Sequence, residues 1–305
     1  MAAGVSLLMF FGPWLIPVVG SLFSLWTPAP LLALYRRQGP EAGRRGLLAG
    51  LAGALALGAV LSTATGGMYY FYYAAVALVL GEAPAHGLSE ARAVTLAGLV
   101  AAGVVGGLLL GGSLMAGHDL GAAWEAQWQR ELDGLMGSYE GMGLDQEQVQ
   151  LARRGMVEAG QVILNLAPGL LTVGSLLLAW ANLLLARRAS APGGQAKPEQ
   201  QRLCLFKLPE QLVWLVILAG AVTWVGEGWA YWAGVNALLV LGVAYFFQGL
   251  AVLAYWLEKK NAPRLLRLGV YILLAVEVFL AVLVALAGLF DIWFNFRRLE
   301  KTPPA

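Results

Sequence analysis

Five polar side chains interrupt apolar runs: Asn165 in VILNLAPGLL, Asn182 in WANLLLARR, Asn236 in GVNALLVLG, Gln248 in YFFQGL and Glu277 in YILLAVEVFLAV. Amides within hydrocarbon hydrogen-bond across helices, whereas a carboxylate there marks a partner or a polar path. Glu277 is the sharpest case. One helix over 264–290 puts it about 15 Å from Arg267 and about 21 Å from Asp291, near the centre of a bilayer. Insertion there costs roughly 3 kcal/mol, which the surrounding apolar residues offset only if the carboxylate does not face lipid. Glu277 is therefore expected to face the interior beside Asn236 or Gln248, either bonded to a neighbouring helix or lining a polar cavity. All five are candidate substrate-binding residues. For the four amides, interhelical bonding is the plainer reading.

Other chemistry finds little support. The chain has no phosphate loop, zincin pair, intramembrane serine constellation or paired aspartates. Its single cysteine, Cys204, excludes an internal disulfide framework and a cysteine metal cluster. His86 and His118 are expected at opposite membrane faces. No catalytic residue, metal ligand or cofactor is expected, and the protein reads as non-enzymatic. Its basic residues fall in short loops and not on one continuous face, so nucleic acid is not an expected partner.

The elements carrying these residues follow from composition. Of 305 residues, 59% are hydrophobic and only 12% charged, with mean hydropathy +0.69; soluble domains carry about 25% charged residues. The fold class is all-α, a polytopic helix bundle whose partner is the lipid bilayer. About 20 apolar residues span the hydrocarbon core as helix, and spans are read at roughly 46–63, 68–81, 93–116, 158–186, 211–226, 231–257 and 264–290. Residues 5–35, broken by Pro13, Pro17, Gly20, Pro28 and Pro30, predict two helices meeting near SLWTPAP or one bent span, giving eight or nine spans. No lysine or arginine precedes the run that starts at Val5 and no cleavage site follows it, so it is expected to stay as the first span.

Three arginine- and lysine-rich connections, around Arg36–Arg45, Arg187–Lys207 and Lys259–Arg267, are expected on the cytoplasmic side. Residues 117–158 carry eight acidic residues against three arginines and are expected outside. Within them Leu120, Trp124, Trp128 and Leu132 recur at helical spacing, predicting an amphipathic helix on the outer leaflet or folded back on the bundle. A second helix is expected from LDQEQVQL, with Asp145 as cap. The organisation is then an N-terminal six-segment bundle over 1–186 containing the insert 117–158, a cytoplasmic linker over 187–210 and a three-span extension over 211–299.

Two features concern packing and anchorage. Gly46 and Gly50, then Gly103, Gly107 and Gly111, recur at four-residue spacing, which lets helix backbones approach closely in lipid. They predict a tight bundle, or faces that engage other membrane proteins. In GLFDIWFNFRRLEK, Asp291, Trp293, Arg297 and Arg298 read as membrane-interface anchors, as do Trp124 and Trp128.

The strings FKLPEQLVW at 206–214, GVNALLVLGVAYFFQGLAVLAYWL at 234–257 and GLFDIWFNFRRL at 288–299 resemble the YybS-like family of predicted bacterial multi-pass membrane proteins, which has no assigned activity. PAPLLALYRRQGPEAGRRGLLAG is more distantly similar to the proline-rich turn, short helix and Gly-Pro loop of the S components of energy-coupling-factor transporters. These resemblances imply the bacterial cytoplasmic (inner) membrane and a small-molecule transporter or its substrate-binding subunit, the ligand unidentified. The alternative is a non-catalytic assembly or scaffold protein.

Overall fold

A computed structural model describes residues 1–61, 67–117, 119–141, 146–190 and 206–297. His118, Asp145, Cys204 and Arg298, with the expectations attached to them, lie outside the described residues. Every regular element among the described residues is helical. The chain divides into two compact units, Met1–Ala196 and Lys197–Ala305.

In the first unit, prolines set the helix starts. The N-terminal run is more broken than expected, into α1 (Ala2–Phe10), α2 (Gly12–Leu15), α3 (Pro17–Ser24) and α4 (Pro28–Gln38). Pro13, Pro17 and Pro28 each occupy the first turn of their helix, where a missing N–H costs nothing. Gly39, at φ 87°, makes the turn into α5 (Pro40–Val60). The next helices are α6 (Tyr70–Glu82), a 3-10 turn at Ala83–His86, α7 (Glu90–Ala116), α8 (Leu120–Gly141) and the 45-residue α9 (Gln146–Ser190).

The core lies around α6, where Tyr70, Ala74, Val76, Ala77 and Leu80 are buried. Opposite them, α7 presents Ala93, Ala97, Gly98 and Ala101, with Gly98 close against Leu176 of α9. This alanine stripe forms the close contact expected of the glycines. Gly103, Gly107 and Gly111 have open space where a side chain would project, so that expectation is corrected for this chain. Gly50 does pack, against the Tyr70 hydroxyl.

The insert is a hairpin. α8 runs against the first turns of α9, and α9 continues unbroken into the apolar run. The second helix expected from LDQEQVQL is present as the start of α9, at Gln146. The Trp124 and Trp128 indoles stack 5.8 Å apart and donate to the carbonyls of Gly160 (3.3 Å) and Met156 (2.9 Å) on α9.

The second unit holds α10 (Leu212–Val225), α11 (Trp229–Lys259), α12 (Arg264–Val276) and α13 (Val278–Phe294). Gly249 and Gly288 bring α11 and α13 together: a methyl at Gly249 would strike the Val284 carbonyl, and one at Gly288 the Tyr245 carbonyl.

Among the described residues, four stretches are long and apolar enough to cross a membrane: Pro17–Gln38, Glu90–Ala116, Glu147–Ser190 and Trp229–Lys259. A fifth arises if α12 and α13, bent by 104°, form one span. This is fewer than the eight or nine expected, for reasons of length and composition. α6 has 13 residues and α10 has 14, short of about 20, and α5 begins with Glu41, Arg44 and Arg45 and is rich in glycine.

Candidate functional site

The chain reversal at the prolines leaves a recess. α1 ends at Phe10, α2 turns across it, and α3 returns past it because Gly12 and Gly20 allow backbone-to-backbone contact that a methyl at Gly20 would prevent. Between this reversal, the first turn of α6 and the middle of α7 lies an open-sided cavity of about 350 Å³. Phe10, Phe11, Pro13 and Trp14 form one wall; Ser24, Tyr69, Tyr72, Tyr73 and Val105 complete it. None of these nine residues carries a formal charge at neutral pH.

The walls are braced from behind. Phe10 meets Tyr70 and Tyr73 edge-on, at 5.2 and 5.8 Å between centroids, and Tyr72 meets Tyr73 at 5.0 Å. The Tyr72 hydroxyl is 3.1 Å from Ser175 Oγ, which donates to the Leu171 carbonyl. Beneath, buried Ser6 donates to the Thr27 carbonyl and bonds the Tyr70 hydroxyl, both at 2.8 Å. The recess therefore offers aromatic surfaces and hydroxyl groups in a fixed arrangement.

At the other end of α6, charge is concentrated. Arg44 donates from Nε and Nη2 to the two oxygens of Glu82, both at 2.7 Å. That bonding holds the Glu82 carboxyl below the usual carboxylate value and raises Arg44. Arg187 pairs with Glu90, and Arg37 donates to the Ala189 carbonyl. These contacts gather the ends of α4, α6 and α9 and the starts of α5 and α7 on one face of the first unit, with the cavity toward the other.

None of the five polar residues singled out in the sequence lines the cavity. Asn182 is buried and donates to the carbonyls of Leu25 (2.8 Å) and Leu178 (2.9 Å), tying α9 to the junction of α3 and α4. Asn165 and Asn236, both half-buried, donate to carbonyls four residues back, Gln161 and Trp232. Buried Gln248 bridges its unit, donating to the Gly288 carbonyl (2.9 Å) and accepting from the Leu208 amide (3.0 Å).

Glu277 differs most from expectation. It is exposed and sits at the break between α12 and α13, with extended backbone (φ −98°, ψ 102°). The continuous helix and the inward-facing carboxylate are both corrected. Asp291 and Arg297 are also corrected as headgroup-facing groups, since they pair with each other in the protein interior. Trp293 is exposed. Among the described residues no three His, Cys, Asp or Glu side chains are arranged to hold a metal ion.

The cavity residues were hard to recognise in sequence. MYYFYY reads as an aromatic belt, and only its pairing with the Pro13 and Pro17 breaks hints that the tyrosines meet a folded-back segment.

An α-helical chain with several apolar helices long enough to cross a bilayer defines an integral membrane protein. Residues 4–292 match the model of a family described as "Predicted membrane protein (DUF2232)", and the chain belongs to that family. No curated protein and no solved structure matches it.

Proposed function

We propose that the protein is a non-enzymatic small-molecule transporter of the bacterial cytoplasmic membrane, or the substrate-binding subunit of one. The observation that carries this reading is the braced aromatic cavity on the first unit. Its volume falls within the roughly 300–1,000 Å³ of ligand sites, and two of its hydroxyls are held by partners behind the wall, Tyr72 by Ser175 and Ser24 by the Ser21 carbonyl. The motif resemblance to transporter S components agrees with the transport role, and that to the YybS-like family with a bacterial multi-pass membrane protein. We also propose eight or nine membrane crossings, with α5, α6 and α10 crossing as members of the bundle despite their composition or length.

Mass spectrometry of small molecules released from the purified protein tests the binding role. A compound retained by the native chain and lost from Val105→Trp, which fills the cavity from α7, is the expected result. Identical extracts from two folded proteins would sink the reading.

A second reading, assembly with other membrane proteins, is favoured by the Gly103, Gly107 and Gly111 face, against which none of the described residues packs. Gly107→Leu should then remove co-purifying membrane proteins while leaving the monomer intact; an unchanged set of co-purifying proteins counts against it.

A further inference from the structure

Resting on the binding role proposed above, we infer that the cavity of the first unit takes a neutral, flat, ring-containing molecule bearing one or two hydrogen-bonding groups, entering on the side away from the arginine face. Three observations define this class.

The first is charge. The cavity lining has no ionised residue, and the nearest ion pair described on α6, at Glu82, lies ten residues from Tyr72, about 15 Å along the helix. A charged ligand would lose hydration without meeting a counter-charge. Contact with the aromatic faces would return part of a cation's lost hydration, but the lining holds no carboxylate to complete it.

The second is shape. Phe10, Trp14, Tyr69, Tyr72 and Tyr73 surround the space, and the rings of Phe10, Tyr72 and Tyr73 are already fixed edge-to-face. Pairs of rings prefer offset or edge-on contact, so a flat ring gains from this lining beyond simple burial. The third is polarity. Four hydroxyls, of Ser24, Tyr69, Tyr72 and Tyr73, are in the lining. Tyr72 is bonded to Ser175 Oγ and Ser24 donates to the Ser21 carbonyl, so these oxygens keep lone pairs that can accept from a ring with a polar edge, a bond an aliphatic chain cannot offer.

The side of entry follows from α6. Its C-terminal end is clamped at the arginine face by Arg44 and Glu82, and the cavity lies at its first turn.

The test uses the full-length protein in lipid nanodiscs and four probes: 2-naphthol, naphthalene-2-sulfonate, N-methylquinolinium and 1-decanol. Equilibrium dialysis against empty nanodiscs separates saturable binding from partition into lipid. Saturable binding of 2-naphthol is expected, at least tenfold tighter than that of the other three. It should weaken at least tenfold in Val105→Trp and in Trp14→Ala. Trp14 is 63% exposed, so its removal leaves the packed bundle in place if Val105→Trp does not fold. Tighter binding of an ion or of decanol, lost in these variants, overturns the ligand class while the binding role stands. Binding of 2-naphthol that survives both substitutions overturns the site. Absence of saturable binding by all four probes removes the ligand class and the binding role together.

Discussion

Arg297 and Asp291 form a buried ion pair in which Nε (3.1 Å) and Nη2 (2.7 Å) of the guanidinium donate to one carboxylate oxygen, Oδ2, with the side chains 1% and 3% exposed. Nη1 donates to the Phe206 carbonyl at 2.7 Å, so the pair also holds the segment leading into α10. Asp291 Oδ1 has no hydrogen-bond partner among the described residues. Such a pair adds little relative to apolar residues of the same size, but removing one member strands the other charge. Asp291→Ala or Arg297→Met should each cost about 3–5 kcal/mol, while Asp291→Leu with Arg297→Met should recover most of the loss. Unfolding midpoints of the four proteins in detergent check this. Equal loss in the double variant would mean that the pair is more than mutual charge compensation.

Gly249 and Gly288 meet across α11 and α13, where backbone carbonyls occupy the space a methyl would need. Backbone cannot swing aside as a side chain can, so Gly249→Ala and Gly288→Ala should each cost about 1–3 kcal/mol or more. Gly107→Ala meets nothing and gains helix propensity, so it should be neutral or slightly stabilising. Thermal unfolding of the three variants decides; equal effects would contradict the packing described.

The bond between Arg44 and Glu82 gives a pH signature. The Glu82 carboxyl is held below its ordinary value of 4.5, first by hydrogen bonding to Arg44, so below that value the unfolded chain takes up the proton more readily than the folded one. Stability from this group is therefore full above pH 4.5 and is lost as pH falls through the depressed folded value. Arg44 is largely exposed and the pair is screened, so the effect on the midpoint should be a few degrees at most. Glu82→Gln should lose that acid-sensitive component, and raised salt should shrink it in the native protein. A native and a Glu82→Gln chain with the same acid slope would exclude the pair as its source.

How much the sequence reveals depends on whether the deciding interaction is local. Helix starts at Pro28 and Pro40 and the turn at Gly39 are legible because proline and glycine act on their own backbone. The break at Glu277 is not, since YILLAVEVFLAV has helical composition throughout and carries no proline or glycine. The glycine spacing on α7 is real, but spacing alone does not identify the face a neighbour covers; Ala93, Ala97 and Ala101 are the covered positions. Arg297 and Asp291 look like an aromatic-flanked exit from the membrane because pairing across six residues, around the left-handed Asn295, is a tertiary event. The cavity joins residues up to 95 positions apart, from Phe10 to Val105, and no local pattern records that meeting.

Glu277 provides a direct test of that break. Its side chain is exposed and its backbone already leaves the helical region, so it fills no polar site in the interior. Glu277→Leu and Glu277→Gln should both stay within about 0.5 kcal/mol of the native chain. A carboxylate bonded to a buried partner would instead cost about 1–3 kcal/mol on replacement by leucine. Unfolding midpoints of the two variants distinguish these cases, and a large loss in Glu277→Leu alone would restore the continuous helix.

Arg37, Arg44 and Arg187 are drawn to one face of the first unit by their contacts with Ala189, Glu82 and Glu90. The helix directions require this arrangement: α5 leaves the face that α4 reaches, α6 returns to it, α7 leaves again and α9 ends there. Basic residues near helix ends favour the cytoplasmic side, which assigns that face inward and the acidic hairpin of α8 and α9 outward. In a Cys204→Ser background, a cysteine at exposed Ala189 should resist a membrane-impermeant thiol reagent in intact cells, and one at exposed Glu125 should react. Permeabilised cells, in which both positions should label, control for access. The opposite pattern in intact cells would invert the first unit and place its aromatic cavity toward the cytoplasm.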